Sequence, residues 1–362
     1  LDVVTTANQK WSVDPFEGKL DGGYVWGRGA LDMKGGVAMM LAALLRAKSQ
    51  DLKPAGDVVF VALSDEEAGG VYGAKYMAET HGEHFSGIKY AIGEFGGFPL
   101  YFGGRKFYAI QVAERQICWL KASVRGPGGH GALPKRGGTM AKLAEFLKKL
   151  DENRLPVHVD PVVRRMLQTI SAGAPAPANE EFAALLDPKT ADAALDKMGE
   201  GGLLLDAMLH NTVNPNIISG GDKINVIPSE IHLEVDGRLL PGFTPADLIS
   251  ELRDITGDLA EFELISYDKG PPDADMGLYD TLEGILRDAD PEGIPVPLLQ
   301  IGCTDARFFA ELGIQSYGFL PMNLPADFDF LHTVHSADER IPAESLHFGT
   351  NAVYELMKRY RG

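Results

Sequence analysis

Gly56-Asp-Val-Val-Phe-Val-Ala-Leu63, running directly into Ser64-Asp65-Glu66-Glu67, reads as an apolar strand that ends in three consecutive carboxylates. A short Val- and Phe-rich run of this kind predicts a strand of a buried sheet. Acids at its end imply either a cation nearby or a solvated acidic turn, and the segment alone leaves both readings open. Adjacent side chains at a strand end point in different directions. Glu66 and Glu67 can therefore take separate roles, one toward a substrate and one toward a metal.

Upstream, Gly27-Arg-Gly-Ala-Leu-Asp32-Met-Lys-Gly-Gly36 is a loop that opens into an apolar-periodic helix predicted over 37–50. The glycines Gly35 and Gly36 let the backbone pass close to a neighbour. Helix followed by the strand at 57–63 gives the strand-helix-strand order of an α/β sheet. Downstream, Tyr90-Ala-Ile92 reads as a second, neighbouring parallel strand that ends in Gly93-Glu94. The functional crevice of an open α/β sheet lies at the carboxyl ends of its strands, which predicts that Asp32, Glu66, Glu67 and Glu94 converge there.

After Glu114 the pattern changes. Ile117 to Arg125 and Ser229 to Arg238 alternate apolar and polar residues, as antiparallel strands with one wet face do. Helices are predicted over 139–150 and 245–255, the second opened by a Thr244 cap, with further strands near 213–219 and 261–267. The order strand, helix, two strands, helix, strand is that of the split βαβ (ferredoxin-like) sandwich. Residues 151–210 interrupt it with Ala/Leu-rich helical material and a Pro/Ala hinge at 172–177. The chain returns to the first domain near 272, with a helix at 278–288 and a strand at 296–300. The expected domains are thus 1–113 with 272–362, and 114–271.

Composition narrows the function. The chain has 362 residues, 45% of them hydrophobic, and a net charge of −17 without a basic stretch, which argues against nucleic acid as a partner. The longest apolar run, 37–47, is interrupted by Arg46, so no membrane span is expected. Cys118 and Cys303 form no disulfide or metal framework, which fits a reducing, cytoplasmic setting. Leu1-Asp2-Val3-Val4 reads as the tail of a strand with no turn before it, and leads us to expect a segment upstream.

Imidazoles decide which metals such a centre suits, because carboxylates alone would fit calcium or magnesium. His81, His84, His158, His210, His232 and His347 read as surface or satisfied core residues. His335 differs: it sits in Leu331-His-Thr-Val-His335-Ser-Ala-Asp-Glu-Arg-Ile341, expected as a loop immediately before a helix, with a carboxylate pair three and four positions on and His332 as competitor. His130 lies in Gly126-Pro-Gly-Gly-His130-Gly-Ala-Leu-Pro134, either a tight turn or a backbone shaped to present the ring.

Asp2-Val-Val with Trp11 and Asp14-Pro-Phe, Gly27 to Gly36, Ser64-Asp-Glu-Glu67, Gly93-Glu94, Gly129-His130-Gly-Ala-Leu-Pro, Ile224-Asn-Val-Ile-Pro228, Asp236-Gly-Arg238 and His335-Ser-Ala-Asp-Glu-Arg, in this order, resemble the zinc-dependent aminoacylase/carboxypeptidase family. That family includes acetylornithine deacetylase, succinyl-diaminopimelate desuccinylase and glutamate carboxypeptidase. The long insert and Gly302-Cys-Thr-Asp-Ala-Arg307 are most similar to its aminoacylase-1-like branch. The resemblance implies an α/β, mixed-sheet co-catalytic zinc peptidase domain with an inserted ferredoxin-like lid and dimerisation domain.

It further implies two divalent metal ions, zinc with cobalt or manganese as alternatives, bridged by Asp32. Glu67 and His335 would complete one site. Glu94 would hold the other with a histidine that in the family precedes the Leu-Asp corresponding to Leu1-Asp2, and Asp2 would orient that ring from behind. Glu66 would be general base and acid toward metal-activated water, and His130 an oxyanion donor supplied across a homodimer interface. Asn225 and Arg238 would hold the substrate's carboxylate and backbone, with Gly302 and Thr304 lining the same pocket. The implied reaction is hydrolysis of an amide next to a free carboxylate, in an N-acyl amino acid or a short peptide. A non-catalytic peptide- or metal-binding relative and a co-catalytic zinc aminopeptidase are the competing readings.

Overall fold

Strict alternation along 116–125 and 230–239 puts every second side chain on one face, and the two segments pair over their whole length. The computed structural model describes residues 2–271 and 273–362. In chain order the elements are β1 (Lys19–Asp21), β2 (Tyr24–Trp26), α1 (Lys34–Ser49), α2 (Tyr76–Thr80), β3 (Tyr90–Gly93), β4 (Phe98–Phe102), β5 (Arg105–Glu114), β6 (Gln116–Arg125), β7 (Gly129–His130), α3 (Thr139–Glu152), α4 (Pro161–Gly173), α5 (Ala178–Ala184), α6 (Ala191–Met198), α7 (Leu203–Leu209), β8 (Thr212–Ser219), β9 (Val226–Ile227), β10 (Glu230–Leu239), α8 (Pro245–Thr256), β11 (Glu261–Tyr267), α9 (Tyr279–Ala289), β12 (Ile294–Gln300), α10 (Ala306–Ala310), β13 (Gln315–Gly318), α11 (Phe330–Thr333), β14 (Arg340–Pro342) and α12 (Ala343–Arg359).

The larger mixed sheet runs β12-β5-β13-β3, with β4 added antiparallel to β5. β5 is buried without a break from Phe107 to Val112, as a strand covered on both faces must be. β12 carries Pro295 and Pro297, which donate no ladder hydrogen bond, and it lies at the end of the sheet where that loss is tolerated. Gly35 and Gly36 open α1 because nothing larger fits. A Cβ on Gly35 would stand 2.3 Å from the Ala30 carbonyl oxygen, and one on Gly36 2.5 Å from Leu320 Cδ1.

The segment quoted at the outset is not a ladder strand. Residues 57–63 join no strand ladder among the described residues, and Val58, Val59 and Val61 are 47%, 50% and 38% exposed. Apolar composition makes a strand only where a neighbouring backbone accepts its N–H and C=O groups. β3, its expected neighbour, pairs with β13 instead. The segment, β3, α1 and α12 together line a cavity of about 720 Å³.

The second sheet has the order β11-β6-β10-β8, antiparallel throughout, with α3 and α8 between its strands in sequence. This is the expected split βαβ sandwich. Leu143, Phe146, Leu248 and Leu252 of the two helices cover Leu120, Ala122, Val124, Leu233 and Val235. Each such side chain contributes about 1.5–3 kcal/mol on burial. Thr244 caps α8 as predicted and does so reciprocally with Asp247, a capping box followed by Pro245.

The helical insert, α4 to α7, packs on the first sheet rather than on the second. Val163, Met166, Leu167 and Ile170 share a core with Phe107, Ile110, Val296 and Leu298. The stretch read as a Pro/Ala hinge is the tight turn between α4 and α5. His210, expected as a satisfied residue, is 1% exposed and lies between Asp206 and Asp192. No helix among the described residues is long and apolar enough to cross a membrane.

The two sheets join where β5 passes into β6. Arg115 donates to Thr212 Oγ1 at 2.6 Å and to the Arg238 carbonyl at 2.7 Å. Gln116 reaches the Leu240 carbonyl at 3.0 Å and accepts from Gly270 N–H at 3.0 Å, so both crossings are fastened by neighbouring side chains. Pro272, the expected point of return, lies outside the described residues.

Candidate metal centre and active site

Asp32 is placed by a carboxylate that the sequence reading did not single out. Glu339, 0% exposed, accepts from the backbone N–H of Gly29, Leu31 and Asp32 at 3.0, 2.8 and 2.9 Å. It also pairs with the buried Arg28 at 2.6 Å. Arg28 in turn donates to Gln9 and lies over the Trp11 ring, which explains why these distant residues accompany the motif. The only sequence signal for Glu339 was its place in the acidic pair after His335.

Glu66 and Glu67 begin a single helical turn whose free N–H groups are taken by Asp2, at 3.1 and 3.0 Å. This holds both acids in register. The preceding Asp65 has φ 55° and His335 has φ 62°, left-handed conformations unusual for residues other than glycine. Such conformations persist where surrounding bonds enforce them. Here the His335 carbonyl accepts from Gln9 at 2.7 Å, and Asp338 accepts from Ser12 N–H at 2.8 Å. The loop leads into β14 before α12 begins, rather than directly into a helix. His332 turns aside to Asp329 at 2.8 Å and is no competitor.

His335 Nε2 lies 3.1 Å from Asp32 Oδ2 and 3.2 Å from Glu67 Oε2, and the three donor atoms lie within 4.8 Å of one another. Those separations match the edges of a coordination polyhedron with arms of about 2.0–2.2 Å. Glu94 stands beside them, hydrogen-bonded to Glu66, but outside this three-donor group. Burial raises the carboxyls of Asp32, Glu66, Glu67 and Glu94 above the ordinary range, Glu94 most, and their neighbours' negative charge adds to this. His335 and Arg28 oppose this at Asp32, His335 at Glu67 and Arg307 at Glu66. A dication shared by Asp32, Glu67 and His335 would favour the ionised forms, so the donor set fits a nitrogen- and oxygen-liganded metal such as zinc.

A second pair of buried acids borders the centre. Burial pushes Glu114 and Asp305 up to about 7. Glu114 accepts both the N–H and the hydroxyl of Thr304, at 3.0 and 2.9 Å, so the Thr304 hydroxyl is committed to it. Thr304 and Asp305 line the cavity together with Asp32, Glu66, Glu67 and Glu94, whereas Gly302 is not among its walls.

The remaining predicted residues lie on the second sheet's side. Gly129 and His130 pair with Ile227 and Val226, and Gly131 N–H donates to the Asn225 carbonyl at 2.8 Å, so His130 and Asn225 are neighbours. His130 is exposed, with Nδ1 accepting from Ala132 N–H, and it makes no hydrogen bond to the carboxylate centre among the described residues. Arg238 is held side-on by Asp236 at 2.8 Å, which leaves Nη1 facing Cys303 Sγ at 3.8 Å.

The chain is 28% identical to the human N-fatty-acyl-amino acid synthase/hydrolase PM20D1, over 99% of its own length and 72% of that protein's. It is 27% identical to a probable carboxypeptidase S-like 2 of Dictyostelium discoideum, over 99% and 70%. Among solved structures, an M20 family metallo-carboxypeptidase from Sulfolobus solfataricus superposes with a TM-score of 0.62 at 16% identity, covering 99% of this chain and 83% of that one, which shows a shared fold. The family model described as Peptidase family M20/M25/M40 matches residues 1–359, and with that match the chain belongs to this family of metal-dependent hydrolases of peptide and acyl–amino acid bonds.

Proposed function

We propose that this enzyme hydrolyses an amide bond next to a free α-carboxylate, in an N-acyl amino acid or a short peptide. The observation that carries the reading is the convergence of Asp32, Glu67 and His335 with Glu66 unliganded beside them. Asp32, Glu67 and His335 would hold one divalent ion, and Glu94 would contribute to a second. When bound, such ions supply Lewis acidity toward the scissile carbonyl and bring the pKa of water to about 7.

Glu66 takes a proton from the attacking water and gives it to the departing amine. Its burial raises the carboxyl above the ordinary carboxylate range, the direction that favours returning the proton to the amine. Arg238 receives the substrate carboxylate, because Asp236 fixes its guanidinium while Nη1 meets only a weak sulfur acceptor. Asn225 and His130 are neighbours, joined through the β7–β9 pair and the Gly131 N–H on the Asn225 carbonyl. His130 acts on the substrate oxygen of a second subunit. The edge strand β8, with Ile217 and Ile218 54% and 58% exposed, is the surface on which two copies meet.

The experiment is a hydrolysis panel of N-acetyl, N-succinyl and N-fatty-acyl amino acids and dipeptides on the zinc-reconstituted protein, each with its carboxamide counterpart. Carboxylate substrates are turned over and their amides are not. In Arg238→Met the KM for carboxylate substrates rises at least tenfold. Equal turnover of acids and amides would remove the carboxylate from recognition.

A further inference from the structure

Outside the carboxylate centre, the described residues contain one other group of converging metal donors: His81, Glu83 and His84, on the turn that follows α2. His81 is the residue at which α2 ends, its N–H bonded to the Met77 carbonyl, and 82–85 form one tight helical turn closed by His84 N–H on the His81 carbonyl at 3.0 Å. This turn brings both rings onto the same carboxylate. His81 Nδ1 is 3.6 Å and His84 Nε2 3.9 Å from Glu83 Oε1, and the three donor atoms lie within 4.8 Å of one another.

The turn is anchored although its donors are exposed. Phe85, 7% exposed, packs edge-on against Phe309 with ring centroids 5.1 Å apart. Tyr76 stands edge-on to His81 at 5.4 Å, and the two imidazoles lie nearly parallel, 25° apart at 5.9 Å. The end of a helix, where carbonyl oxygens face outward, adds a field that favours positive charge.

We propose that His81, Glu83 and His84 form a separate surface metal site for a nitrogen-preferring divalent ion of the zinc or copper type, with water completing its coordination. Two imidazole nitrogens and one carboxylate oxygen are the donor set such ions take. The exposed side chains need only small rotations to shorten the donor separations toward those at His335. A bound ion ties the end of α2 to the turn that leads into β3, and so to Glu94 at that strand's exit.

The test titrates Cu²⁺ into zinc-saturated protein, since copper outcompetes zinc at such donors. The wild type takes up one more Cu²⁺ per chain than His81→Ala/His84→Ala, with an electron paramagnetic resonance spectrum showing two nitrogen ligands. Its melting temperature rises on copper addition and that of the double variant does not. Glu83→Gln, which keeps both rings, weakens the uptake without removing the nitrogen signature. kcat/KM is the same in all three proteins, which separates this site from the carboxylate centre. Equal copper uptake by the wild type and the double variant, or a spectrum without two nitrogens, overturns the proposal.

Discussion

Glu66→Gln lowers kcat by about 10²–10⁴-fold while the protein keeps its full complement of metal. The replacement is isosteric and spares Asp32, Glu67 and His335, the donors that lie together. What it removes is the ability to take a proton from water and return it to the amine. Burial first, then the charges of Glu67 and Asp32, raises the Glu66 carboxyl above the ordinary range, while a hydrogen bond with Glu94 and the charge of Arg307 oppose that rise. The measurement pairs steady-state hydrolysis with elemental analysis of bound metal. A variant that retains most of its turnover takes Glu66 out of proton transfer. One that loses metal in proportion to activity makes it a ligand instead.

Glu339→Ala reduces stability by about 3–5 kcal/mol, the range for stripping one partner from a buried ion pair. Arg28 and Glu339 are each 1% exposed, so the guanidinium left behind has no water to replace its partner. Three backbone N–H groups of the Asp32 loop lose their acceptor at the same time. The loop that presents Asp32 is then free to move, and metal affinity falls by roughly 10–100-fold, as when a group supporting a ligand is removed. Urea unfolding of the metal-free protein isolates the first effect, and zinc titration of the folded variant measures the second. A stability change below about 1 kcal/mol contradicts the anchoring role given to Glu339.

The split βαβ half was legible because alternation and capping are local signals. Residues 117–125 and 229–238 announce their wet and dry faces, and Thr244-Pro245 announces where α8 starts. Pairing is not local, and there the reading of 57–63 failed: its composition matched a buried strand, but the segment joins no strand ladder among the described residues. The docking of α4 on β12 escaped for the same reason, since periodicity shows which face is apolar but not what it meets.

At the centre, Asp32, Glu67 and His335 stood out because acids and imidazole next to glycine-rich loops are chemically conspicuous. Glu339 and Arg28 did not, because a fully buried ion pair looks, in sequence, like two ordinary surface residues. That the Asp2 carboxylate also caps the turn of Glu66 and Glu67 carries no local signal in the sequence. Thr304 lines the cavity beside the carboxylate centre, and only coordinates show its hydroxyl committed to Glu114.

The most direct test of the account is an anomalous difference map from zinc-soaked crystals of this protein, recorded at the zinc edge. The account predicts a peak about 2.0–2.2 Å from His335 Nε2 and from carboxylate oxygens of Asp32 and Glu67, with Glu66 outside the coordination sphere. A map with no peak among these three residues, or with Glu66 bound to the metal, would contradict it.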